Sequence, residues 1–106
     1  MDADLSVSRF QERAAVAARL MKALSNEHRL LVVCHLIAAE EMSVGALTSA
    51  VGLSQSALSQ HLARLRDDGL VTFRRDGQTL FYRVADPAAG RVIALLKDLY
   101  CPDLEA

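Results

Sequence analysis

The sequence predicts a mainly α-helical single domain closed by a two-stranded β-hairpin, and three observations carry that prediction. Apolar residues recur three or four apart along most of the 106-residue chain, the spacing that one helix face requires. A Ser, Asn or Asp precedes each periodic stretch after the first, where a side-chain oxygen can accept from the free N–H groups that open a helix. One Asp76-Gly77 dipeptide separates two runs rich in β-formers, the strongest short-range hairpin signal. The length is one domain's worth, so residues 1–106 are read as a single unit.

The elements follow in order. A first helix is expected from about Ser8 to Leu24, with Phe10, Ala14, Ala17, Met21 and Leu24 on its apolar stripe and residues 1–7 as a loose end. Ser25-Asn26 breaks it and caps a second helix, Glu27 to Ala39, whose stripe is Leu30, Val33, Cys34 and Ile37. Ser43 caps a short third helix, Val44 to Val51, which Gly52 ends in a left-handed conformation. Ser54 starts a fourth, Gln55 to Asp68, with Leu58, Leu62 and Leu65 inward and Gly69 as its stop. Strands Leu70–Arg75 and Gln78–Val84 then flank Asp76-Gly77, expected with φ > 0 at both turn residues. Asp86-Pro87 opens a last helix through Val92, Ile93, Leu95, Leu96 and Leu99. It ends at Cys101-Pro102, leaving residues 103–106 as a second loose end. A two-stranded hairpin is unstable alone, so it must lie on the helical body or on a ligand.

Composition narrows the function classes. With 52% hydrophobic and 24% charged residues the chain reads as globular. No apolar run reaches the roughly 18–20 residues of a membrane helix, and Met1-Asp2-Ala3-Asp4 lacks a secretory pattern. The cytoplasm is the expected compartment. Two cysteines there do not make a disulfide scaffold. The absence of Cys-x-x-Cys, of a glycine-rich phosphate loop and of a clustered acid–base pair argues against an enzyme. The net charge of −1 announces no polyanionic partner. Its distribution says more: five arginines oppose three aspartates between Ser54 and Val84 while acidic residues gather at the two ends, though this alone does not point to DNA.

The third helix, the tight Val51-Gly52-Leu53 turn and the fourth helix form a helix-turn-helix, with Leu47 and Leu53 plugging the angle between the helices. The outer face of the fourth helix carries Gln55, Ser56, Ser59, Gln60 and Arg64. Gln and Ser can hydrogen-bond base edges in a major groove, and Arg reaches guanine or phosphate. A merely solvated helix face would look similar in isolation. The hairpin that follows decides between the two, because its tip bears Arg74, Arg75, Gln78 and Thr79, as expected of a wing laid along a backbone or minor groove. The prediction is a winged helix-turn-helix whose partner is double-stranded DNA.

Three stretches carry a family resemblance: Ala23-Leu24-Ser25-Asn26-Glu27-His28-Arg29-Leu30, Leu53-Ser54-Gln55-Ser56-Ala57-Leu58-Ser59-Gln60-His61-Leu62, and the strand containing Tyr82. Together they resemble the ArsR family of bacterial repressors, over most of the chain from about Ala15 to Cys101. The resemblance implies a homodimer built on the first and last helices and bound to an imperfect inverted repeat. It implies DNA contacts at Gln55, Ser56, Ser59, Gln60 and His61, supported by the wing. The spacing of His61 from Leu58 and Ala57 equally suits a packed histidine, and both roles stay open.

Many members of that family sense metals. Where the resemblance would put a Cys-x-Cys site, at the start of the third helix, this chain has Ser43 and Gly45, and its last helix contains no His. His35 beside Cys34 cannot share a ligand face with it, since adjacent helix residues diverge by about 100°. No metal and no cofactor are therefore expected. Cys34 lies in an apolar stripe and packs as a small hydrophobe would. Cys101 follows Tyr100 and stands one turn after Lys97, whose charge favours a thiolate. The pair and the Tyr-Cys-Pro ending resemble the persulfide-responsive dithiol branch of the family. That resemblance implies that Cys34 and Cys101 are sensing cysteines, that a persulfide or polysulfide is the inducer, and that a di- or polysulfide bridge releases DNA. A general peroxide- or disulfide-sensing repressor is the alternative, followed by a metal-sensing one. No membrane partner is expected.

Overall fold

The computed structural model describes residues 2–102, and contains five helices and three strands. Helix α1 spans Asp2–Leu24. It begins six residues before Ser8, so residues 2–7, expected as a loose end, continue the helix; the segment holds no Gly or Pro to stop it. Residues 103–106, the other expected loose end, lie outside the described residues. Helix α2 spans Glu27–Ala39, and the Asn26 side chain accepts from the Arg29 N–H at 3.1 Å, as the cap was predicted to do. Glu40 then takes φ 70°, the single positive value among non-glycine residues described, and turns the chain out of the helix.

That turn leads into β1, Met42–Ser43, which the sequence did not reveal. Two residues are too few to show an alternating pattern. Helix α3 (Val44–Val51) is capped by the Ser43 hydroxyl, which accepts from the Ala46 N–H at 3.1 Å, and is ended by Gly52 at φ 73°. Helix α4 (Gln55–Asp67) is capped by Ser54, whose hydroxyl accepts from the Ala57 N–H at 3.2 Å. Strands β2 (Val71–Asp76) and β3 (Thr79–Val84) follow, then α5 (Pro87–Tyr100), capped by Asp86 with Pro87 in its first turn.

The predicted hairpin is present as β2 and β3; the structure adds a third strand to it and corrects its loop. The sheet has three strands in the order β1-β3-β2, with Met42 opposite Tyr82 and Ser43 opposite Phe81. The unstable two-stranded ribbon is thereby stitched to the helical body. The register pairs Asp76 with Thr79, so the loop is Gly77-Gln78 and not Asp76-Gly77. Only Gly77 takes positive φ, at 64°, as in turns that need glycine at the first central position alone. This register sets Phe73 opposite Tyr82, with ring centroids 5.3 Å apart. A turn two residues shorter in pairing sum would keep the same faces inward but lose that aromatic pair.

The core joins Ala23 and Leu24 of α1, Val32, Val33 and Leu36 of α2, Leu47, the α4 stripe Leu58, Leu62 and Leu65, and Tyr82 and Ile93. Leu30, Cys34 and Ile37 pack partly buried around it. The predicted stripe of α1 differs: Phe10 and Met21 are 62% and 65% exposed, and on α5 Leu99 is 62% exposed. Periodicity reports that a face is apolar, not what covers it. No described helix is long and apolar enough to cross a membrane.

Candidate nucleic-acid interface and thiol cleft

Buried Leu47, Leu58, Leu62 and Leu65 seat α3 and α4 against the core, which fixes the face that α4 turns to solvent. That face exposes Gln55, Ser56, Ser59 and Gln60. Arg64 stands at its edge, exposed, with Nε 3.2 Å from Asp68 Oδ2 one turn on. His61 departs from the group. It is half-buried, stacked on His28 with ring centroids 5.9 Å apart, and its Nδ1 lies 3.4 Å from Arg29 Nη1. Arg29 is itself anchored, donating through Nε to the Ala23 carbonyl at 2.6 Å. Burial, then the Arg29 charge and then His28, hold the His61 ring below its usual pKa.

The wing divides its residues between two tasks. Arg75 and Gln78 are exposed near the tip. Gln78 and Thr79 share a cleft of about 360 Å³ with Gln55, Thr48 and the start of α3, so one α4 residue and the wing tip meet across it. Arg74 is engaged elsewhere: Nε and Nη2 each donate at 2.8 Å to the two oxygens of Glu41. Its guanidinium lies 4.5 Å from the Phe81 ring centroid. The sheet explains this. Arg74, Phe81 and Ser43 are cross-strand neighbours, and Glu41 is two residues from Ser43, so the four share one face. The hydrogen bond from Arg74 holds the Glu41 carboxyl below its usual range. Glu41 was missed from the sequence, since nothing local links two residues 33 positions apart.

Cys34 and Cys101, both free thiols, line one largely apolar cleft of about 400 Å³ between α2 and α5. Leu30, Ile93, Leu96, Lys97 and Tyr100 complete its walls. Cys34 is half-buried and Cys101 exposed just past the end of α5, where its N–H donates to the Lys97 carbonyl at 2.7 Å. Burial pushes the Cys34 thiol up; the Lys97 charge pulls it down and Cys101 raises it, both by being close. Among the described residues, no group of three or more His, Cys, Asp or Glu side chains is arranged to hold a metal ion.

A buried-stripe α4 with an uncharged polar outer face, followed at once by an arginine-bearing hairpin, defines a winged helix-turn-helix regulator. Residues 26–72 match the family described as bacterial regulatory protein, arsR family, and the chain belongs to that family of DNA-binding transcriptional regulators rather than to an enzyme family. The HTH-type transcriptional regulator YgaV of Escherichia coli K12 is 46% identical over 96 residues, which cover 91% of this chain and 97% of YgaV. The transcriptional activator HlyU of Vibrio cholerae is 46% identical over 99 residues, covering 93% and 91%. The solved structure of reduced HlyU from that species aligns with a TM-score of 0.81 at 48% identity, covering 88% and 97%. The transcriptional repressor BigR of Xylella fastidiosa aligns at 0.84 with 37% identity, covering 89% and 95%. These relatives are ArsR-family regulators of the BigR and HlyU type.

Proposed function

We propose that the chain is a homodimeric repressor whose hold on an inverted-repeat operator is released when Cys34 and Cys101 are bridged by sulfur from a persulfide or polysulfide. The observation that carries this reading is the cleft: the chain's two cysteines share it, and it is walled mostly by apolar side chains. The exposed apolar residues of α1 and α5, Phe10, Met21, Leu99 and Tyr100, support a dimer built on those helices. Gln55, Ser56, Ser59 and Gln60 would read base edges, and Arg64, Arg75 and Gln78 would hold the backbone. Arg74 would serve first to fix the wing through Glu41, and His61 to seat α4 on α2. The likeness to BigR, a transcriptional repressor, favours repression, whereas HlyU of Vibrio cholerae is a transcriptional activator.

The chemistry balances without a metal. The exposed Cys101 thiolate attacks the outer, sulfane sulfur of a persulfide RSSH; the new S–S bond forms as the RS–S bond breaks and RSH leaves. Cys34 then attacks the protein sulfur of that persulfide and expels hydrogen sulfide, leaving a disulfide. If both cysteines first become persulfides, their condensation expels one hydrogen sulfide and leaves a trisulfide. A disulfide needs Cα atoms within about 7 Å, and a longer separation favours the longer bridge. Tethering α2 to α5 changes the setting of the two reading heads only if it stabilises one arrangement over the other.

Intact-mass measurement after separate treatment with peroxide, a disulfide and a persulfide donor tests the reading. The persulfide donor is expected to give an intrachain bridge, and Cys34→Ser to stop at a persulfide on Cys101. Equal bridging by peroxide would move the assignment to a general redox sensor. Identical products from wild type and Cys34→Ser would contradict it.

A further inference from the structure

The two long flanks of α4 are not alike. At about 100° per residue, Gln55 and Arg64 stand about 180° apart around the helix, on either side of the face bearing Ser56, Ser59 and Gln60. The Gln55 flank opens on the wing cleft described above. The Arg64 flank opens on a second cleft, of about 310 Å³, between α4 and α1. Ala15 and Ala18 give it a shallow floor, and Arg19, Lys22, Arg64 and Asp68 ring it. Arg64 holds the single carboxylate of the ring, Asp68, at 3.2 Å. Neither Arg19 nor Lys22 is in an ion pair among the described residues, and both are exposed. The cleft thus carries three cations against one anion.

We infer that this basic cleft is a second backbone-phosphate site, in which Arg19 and Lys22 of α1 grip the duplex strand beside the one followed by the wing. The inference rests on the DNA-binding reading above. A helix lying in a major groove has a sugar–phosphate strand along each flank, roughly 12 Å apart. The wing serves one flank. On the other, Arg64 stands at the boundary between the base-reading face and the cleft, and Arg19 and Lys22 extend the positive surface outward from it. Small alanines beneath them leave room for a phosphodiester to approach. Phe10, Ala17 and Met21 occupy a neighbouring face of α1, so use of that apolar stripe by a second copy leaves the cleft open to DNA.

Phosphate contacts are sequence-independent and release counterions, so they are read in the salt dependence of affinity. The probe is a mixed-sequence duplex of about 30 base pairs, titrated by fluorescence anisotropy with the full chain at a series of salt concentrations. Arg19→Gln/Lys22→Gln is expected to make the slope of log affinity against log salt shallower by up to about 3.6 for the four cations of a dimer. Arg19→Lys/Lys22→Arg should restore it. Asp68→Asn, which removes the anion from the ring, should tighten binding at every salt concentration. Size-exclusion chromatography with light scattering checks that each variant keeps the wild-type assembly state. A wild-type slope in the double glutamine variant would overturn the inference while leaving the DNA-binding reading intact. Failure of wild type itself to bind the duplex would overturn that reading, and the inference with it.

Discussion

At the residue scale, the chain assigns side chains of one type to different tasks according to what lies beside them. Arg75 is exposed at the wing with no ion pair among the described residues, whereas Arg74, its neighbour, is paired with Glu41 across Phe81. Sequence alone groups the two arginines at a basic tip, because the alternation that separates their faces becomes visible only once strand register is known. His61 is a similar case. Its spacing allows either a DNA contact or a packed ring, and the half-buried ring stacks on His28 beside Arg29. Because the folded state holds this ring below its usual pKa, the unfolded chain binds the proton more readily. The contribution to stability is complete above the unfolded value of about 6.5 and is lost as pH falls through the lower folded value. The thermal midpoint of wild type should therefore drop on going from about pH 7.5 to pH 5, and His61→Gln should flatten that drop. Parallel curves for the two proteins would show that His61 does not carry the effect.

At the scale of elements, the capping residues made most of the fold legible. Asn26, Ser43, Ser54 and Asp86 each accept the hydrogen bond that their position promised. What escaped was β1, whose identity depends on pairing with a strand far along the chain, and the hairpin loop, where one glycine can serve either of two turns. The inward stripe of α4 was legible because Leu58, Leu62 and Leu65 repeat at helical spacing and are all buried. Leu62 is 1% exposed, so truncation to alanine removes contacts that surrounding α-helical backbone cannot close up to replace. Leu62→Ala should destabilise the fold by about 2–5 kcal/mol in urea unfolding. A loss below about 1 kcal/mol would mean that α4 is not seated as described.

At the scale of the whole molecule, the stripes of α1 and α5 were readable as apolar, but periodicity did not reveal that the chain's own residues leave them uncovered. A single chain's periodicity is the same whether its own residues or a second copy's cover the stripe, and in the isolated chain Phe10, Met21 and Leu99 stay exposed, as the proposed dimer requires. The thiol cleft lies on α2 and α5, so a bridge there acts on one of the two helices proposed to form that seam. On the proposed reading, this would couple the sulfur chemistry to the spacing of the two α4 helices. A typical coupling of about 1–3 kcal/mol corresponds to a change of about 5–150-fold in affinity. The most direct measurement is an anisotropy titration of an inverted repeat from DNA flanking the chain's own gene, at fixed salt, before and after a persulfide donor. The account predicts tight binding by the reduced protein, a loss within that range after treatment, and no loss in Cys34→Ser. Equal affinity before and after treatment, or the same loss in Cys34→Ser, would contradict it.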